Sequence, residues 1–107
     1  MDEYHFAANV SDVPDGGQEL IELEDRLVIL FRRGDDFYCI DDVCTHDGGN
    51  LSEGECSGFV IACPRHGAEF DIRTGAVLCM PATQPTASHD VKVDGDKVFV
   101  KINEAEE

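Results

Sequence analysis

A chain of 107 residues, 42% of them apolar, has the size of one domain with one modest core. Its net charge of −15 argues against nucleic acid and anionic membrane as partners, because their phosphates would be repelled; it leaves steering toward a basic partner or a merely solvated acidic surface. No run approaches the roughly eighteen apolar residues of a membrane span, and Met1-Asp2-Glu3-Tyr4-His5 has neither the basic nor the apolar region of a signal peptide, so a cytoplasmic monomer is expected.

In chain order, Glu3 to Ala8 reads as a short opening strand with Tyr4 and Phe6 on one face. Residues 11–17, Ser-Asp-Val-Pro-Asp-Gly-Gly, form a turn region, since Asp and Ser bond locally, Pro fixes φ and Gly permits positive φ. Three strand-like runs follow: Gln18–Leu23, in which Leu20 is out of phase with Ile21 and Leu23, then Arg26–Arg33 and Asp36–Ile40. Glu24-Asp25 and Gly34-Asp35 are the hairpin turns between them.

Asp41–Gly58 is a long loop holding Gly48, Gly49, Gly54 and Gly58; a loop of that length in a compact domain points to function. Phe59–Ala62 is a short strand that feeds Cys63, after which Pro64 stops strand pairing. Glu69–Ile72 alternates again, and Thr74-Gly75 turns into Ala76–Cys79. Met80–Ser88 contains Pro81 and Pro85 and reads as an extended connection. His89–Val93 and Lys97–Ile102 alternate around Asp94-Gly95-Asp96, the strongest hairpin signal in the chain, and Asn103–Glu107 is an acidic tail. With no helix longer than a turn or two, the expected fold is an antiparallel all-β sandwich or barrel.

Two stretches carry the chemistry: Cys44-Thr45-His46 and Cys63-Pro64-Arg65-His66, each offering one thiol and one imidazole, sixteen residues apart. Packing explains a lone Cys or His, but not two matched pairs on two Gly-bounded loops. A closed Cys₂His₂ zinc site is the rival, although zinc fingers usually pair Cys with Cys and His with His. One Cys and one His per loop suit two sulfide-bridged irons, one held by both Cys and the other by both His. The remaining thiols, Cys39, Cys56 and Cys79, lack ligand spacing: Cys39 and Cys79 read as packed in strands, and Cys56 as the most exposed. His5 and His89 fall outside the pairs and read as surface or strand residues, and Phe70 reads as core.

The sequence resembles the Rieske [2Fe–2S] proteins. The likeness rests on Cys44-Thr45-His46 and Cys63-Pro64-Arg65-His66-Gly67, and continues through Phe70-Asp71-Ile72-Arg73-Thr74-Gly75 and Cys79-Met80-Pro81-Ala82. It implies a single Rieske-type (ISP-like) β-sandwich domain over 1–107, with a cluster-binding region of about 41–82 formed by the two ligand loops. It also implies one [2Fe–2S] cluster, its buried iron on Cys44 and Cys63 and its outer iron on His46 and His66. Two neutral imidazoles in place of two thiolates make the oxidised site neutral, so an electron is added at a potential roughly hundreds of millivolts above that of all-Cys clusters.

This chain departs from the respiratory members of the family. Gly49 and Arg65 stand where those proteins carry a disulfide, and Ala68 and Phe70 stand where a Ser and a Tyr donate hydrogen bonds to the cluster. Fewer donors, together with the nearby acids Asp41, Asp42, Asp47 and Asp71, favour the low end of the Rieske range, on the order of −150 mV. The resemblance is to small soluble ferredoxins of bacterial ring-hydroxylating oxygenases. It implies a one-electron carrier, not an enzyme, between an NAD(P)H-dependent flavoprotein reductase and a terminal non-haem iron oxygenase. The alternative is the small Rieske-like subunit of an assimilatory nitrite reductase.

Overall fold

The structure is a computed structural model and describes residues 4–23, 26–42, 51–63, 68–79 and 86–103. Among the described residues there are ten strands: β1 (Tyr4–Asn9), β2 (Gln18–Leu23), β3 (Arg26–Arg33), β4 (Asp36–Asp41), β5 (Cys56–Ser57), β6 (Val60–Ala62), β7 (Glu69–Asp71), β8 (Val77–Cys79), β9 (Ser88–Asp94) and β10 (Lys97–Lys101). Single 3₁₀ turns occupy Val10–Asp12 and Leu51–Glu53, and no α-helix occurs among the described residues. Every strand pair is antiparallel, in a six-stranded sheet of order β1-β10-β9-β4-β3-β2 and a four-stranded sheet of order β5-β6-β7-β8.

The all-β expectation holds, and β2 and β3 have the expected bounds. Phase explains the side-chain distribution in β2: Leu23 is buried, whereas Leu20, flanked by the exposed Glu19 and Glu22, faces solvent. Among the described strands β2 ends the larger sheet. The sequence expected one loop from Asp41 to Gly58, but a 3₁₀ turn and β5 lie within it. Strand β5 is only two residues long and has no periodicity of its own; its pairing with β6 (Cys56↔Ile61, Ser57↔Val60) defines it.

Strand β3 has a nearly unbroken apolar run because both of its faces are covered. Val28 and Leu30 enter one core with Leu23, Cys39, Val98 and Val100. Ile29 and Phe31 enter a second core with Ile40, Leu51, Ile61, Cys63, Ala68, Phe70 and Ile72. The first core belongs to the large sheet, and the second joins that sheet to the small one. Arg33, at the end of β3, fastens the two sheets from outside: its Nε donates to Gly58 O at 2.7 Å, across the β5–β6 turn.

The chain after β7 is held by one close approach. Gly75 has φ +81°, and a Cβ there would run into the carbonyl of Thr86, whose own N–H donates to Gly75 O at 2.9 Å. Gly75→Ala is therefore expected to cost about 2–4 kcal/mol in urea unfolding. Gly34→Ala, at φ +67° with open space around it, should cost only about 1 kcal/mol. Equal losses would mean that the approach to Thr86 contributes nothing.

Candidate metal centre

Cys63 is delivered by β6, and the strand pairs Ile61↔Phe70 and Ala62↔Glu69 make the 63–68 segment a hairpin connection. The Cys63 N–H closes it by donating to Ala68 O at 2.7 Å. Cys63 is 2% exposed with a free thiol, and it packs with Ala68 and Phe70 in the core between the sheets. Phe70 is core, as expected. His66, with Pro64, Arg65 and Gly67, lies outside the described residues.

Cys44 and His46 also lie outside them, whereas the residues on either side of 43–50 are among those described. Asp41 N–H donates to Ala87 O at 2.9 Å, and Asp42 N–H to Leu27 O at 3.0 Å. The Asp42 carboxylate is 2% exposed and accepts hydrogen bonds from the Ser52 backbone N–H at 2.6 Å and the Ser52 hydroxyl at 3.1 Å. This contact ties together the exit and the return of the segment. Leu51, just before Ser52, is fully buried in the same core as Cys63. Both ligand stretches therefore root in one apolar core.

This arrangement fits an iron–sulfur group. The donor set is two thiols and two imidazoles on two loops. The one donor within the described residues, Cys63, is free and shielded from water, which suits thiolate ligation of a buried iron. Ala68 and Phe70 are fully buried beside it and supply no hydroxyl.

The acids expected around the site divide into two groups. Asp41 and Asp42 stand at the root of the first loop. Asp71 does not: it pairs with Val60 at the other end of the hairpin, and Arg73 binds its carboxylate at 3.0 and 3.1 Å. That Arg73 hydrogen bond holds the Asp71 carboxyl below its ordinary range. Asp47 lies outside the described residues.

Of the two readings expected for His89, surface or strand, the strand holds: it lies in β9 and is buried. Its side chain is 0% exposed, with Nε2 2.7 Å from Asp41 Oδ1 and Nδ1 accepting from Asn103 N–H at 3.0 Å. The signal was present in the sequence: His89 shares the phase of Val91, which points inward.

The other thiols differ in setting. Burial, reinforced by Asp41, pushes the Cys39 thiol up to about 12. Cys56 is half-buried; burial also raises its thiol, opposed by Arg33, whose Nη2 is 2.8 Å from Sγ. Cys79 ends β8, with its side chain outside the described part.

Two outcomes follow from these contacts. Asp42→Ala leaves both Ser52 donors without their acceptor and should cost about 1–3 kcal/mol in thermal unfolding, with less iron retained per chain after desalting. A raised thiol is protonated in the fold at a pH where the unfolded thiol ionises, so its contribution is complete below about 9 and is lost as pH rises toward about 12. Cys39 should accordingly resist iodoacetamide at pH near 9 in the folded protein and react in urea, as read by mass spectrometry of its peptide.

Comparison with known proteins identifies the family. The Rieske [2Fe-2S] domain matches residues 3–102. The 3-phenylpropionate/cinnamic acid dioxygenase ferredoxin subunit of Escherichia coli (strain K12) is 39% identical over 103 residues, covering 94% of this chain and 95% of that protein. Among solved structures, the ferredoxin of carbazole 1,9a-dioxygenase from Nocardioides aromaticivorans IC177 superposes with a TM-score of 0.90 at 29% identity, over 95% of this chain and 100% of that one. A chain in the complex of reduced oxygenase and oxidized ferredoxin in carbazole 1,9a-dioxygenase gives 0.89 at 31% identity, over 100% of both. Two antiparallel sheets, a shielded free thiol at a loop root and a match along nearly the whole length lead to one conclusion: this chain belongs to the Rieske [2Fe-2S] domain family and carries one cluster of that type.

Proposed function

We propose that this chain is the ferredoxin of a ring-hydroxylating oxygenase system, taking one electron at a time from an NAD(P)H-dependent flavoprotein reductase and passing it to a terminal Rieske-type oxygenase. The observation that carries this reading is the likeness, over 94% of the chain, to a protein named as a dioxygenase ferredoxin subunit. We assign the ligands to Cys44 and Cys63 on the inner iron and His46 and His66 on the outer one, within a single domain over 1–107 whose cluster-binding region is about 41–82. The bound cluster supplies reversible one-electron chemistry. The protein is a cytoplasmic monomer that meets each partner transiently at the ligand-loop end. Among the described residues, no helix is long and apolar enough to cross a membrane.

The protein's own residues set the conditions for that transfer. Ala68 and Phe70 bring no hydroxyl toward the sulfides, and Asp41 and Asp42 bring negative charge to the loop root. Both disfavour the reduced, more negative state. Part of the cationic charge stands away from the ligand loops. Val28 lies opposite Asp41 and Arg33 opposite Asp36, so Arg32 and Arg33 stand at the end of β3 away from the ligand loops. Arg73 follows the far end of the β6–β7 hairpin, and Lys97 stands at the β9–β10 turn. They partly offset Asp35, Asp36, Asp94 and Asp96 there, whereas Arg26 meets Asp41 at the root of the first ligand loop. The net charge of −15 favours encounter with a basic partner face.

The decisive experiment is EPR of the dithionite-reduced protein with a redox titration. A rhombic signal with average g well below the free-electron value, titrating near about −150 mV, is expected; a midpoint above about +100 mV would overturn the argument from missing donors. Absence of any reducible cluster in anaerobically purified protein removes the electron-carrier reading. The rate of electron delivery to the oxygenase should fall as salt rises from about 0.02 to about 0.5 M, and a flat profile removes the steering.

A further inference from the structure

His89 is the one buried imidazole among the described residues, and the ligand assignment does not use it. Both of its ring nitrogens are committed. Asn103 N–H can only donate, so Nδ1 presents its lone pair, and the ring hydrogen therefore lies on Nε2 and points to Asp41 Oδ1 at 2.7 Å. Asn103 is itself held by Nδ2, which donates to Ser88 O at 3.1 Å and contacts Asp90 Oδ1 at 3.4 Å. Arg26 Nη1 reaches the same Asp41 oxygen at 3.5 Å. The network gathers the start of β3, the exit of β4, the start of β9 and the chain beyond β10 around one carboxylate.

The place of that carboxylate matters. Asp41 is the last residue of β4, three positions before Cys44, so the two Cα atoms are at most about 11 Å apart. An anion that close, with its side chain only 20% exposed, is weakly screened. Its effect on a neighbouring redox group depends on whether it is fixed toward the protein or free to rotate into water.

We propose that His89 is a positioning residue for the iron–sulfur cluster: it fixes the Asp41 carboxylate as a standing negative charge at the root of the first ligand loop and holds that root in one geometry. The proposal rests on the ligand assignment above. It adds support for the loop root from β9 and from Asn103 after β10, which the ligand motif does not contain.

The test uses the full, cluster-loaded chain and reads the midpoint potential and the EPR line shape. Asp41→Asn removes the charge and can still accept the His89 hydrogen bond, so the midpoint should rise with line widths unchanged. His89→Phe removes both nitrogens and leaves Asp41 held by Arg26 alone of its two partners; the midpoint should rise by part of the Asp41→Asn shift and the g features should broaden. His89→Gln, which can still donate to Asp41, should restore most of the wild-type behaviour. The double variant His89→Phe/Asp41→Asn should show no further rise over Asp41→Asn alone, because His89 acts on the potential through that charge. A His89→Phe protein that melts earlier yet keeps wild-type potential and line shape overturns the proposal, since its role is then only structural. So do additive shifts in the double variant. If His89→Phe does not load, Asp41→Asn decides, and an unmoved midpoint overturns the proposal. These failures differ from failure of the electron-carrier reading, in which the wild-type protein itself gives no Rieske signal.

Discussion

Burial of β3 and β4 on both faces is the constraint on which this structure depends. One wall serves two cores: Val28, Leu30 and Cys39 point one way, and Ile29, Phe31 and Ile40 point the other. Fully burying such side chains contributes on the order of 1.5–3 kcal/mol each. A register slip of one residue would exchange the two sets and ruin both cores. Because the wall cannot slip, its exit at Asp41, three residues before Cys44, is fixed in space. On the other side Ile61 and Phe70 pack onto that wall, and the Cys63 N–H donates to Ala68 O, so Cys63 and Ala68 are anchored as well. An electron carrier benefits from such an arrangement, because a site that keeps its geometry in both oxidation states loses little energy to reorganisation.

Much of this was legible in the residues. The β9–β10 hairpin, with Gly95 at φ +66° between alternating strands, is written in local chemistry. So are β2 and β3, and so is the pairing of one Cys with one His in each ligand stretch. Strand β5 was not legible, because two residues carry no period and only the partner strand makes them a strand. The role of Asp42 was not legible either: a carboxylate between a strand and a loop looks like any other acid until Ser52 is brought back to it. Asp71 shows the converse. Sequence proximity to the motif suggested a neighbour of the cluster, but hairpin register carried it away and paired it with Arg73. His89 is an intermediate case, with its phase readable and its partners not.

The acidic composition acquires a structure once the strands are placed. Arg33 fastens the small sheet to the large one through Gly58 and also contacts Cys56, so that basic group is occupied in holding the fold together. Arg32 is similarly engaged with the carbonyls of Val10, Val13 and Gly34. Arg73 lies over the Phe59 ring at 4.3 Å while bound to Asp71. Several of the few cations are thus used internally at one end, which leaves the acids to define the character of the surface.

Strand β2 gives that surface a second meaning. The outermost described strand of the large sheet has the exposed Glu19 and Glu22 near the exposed Leu20. An uncharged strand in that place would recruit the same strand of another molecule and begin a stack. Carboxylates along it make each copy repel the next. The charge that sets one copy against the next is thus built into the edge most at risk of adhering to it.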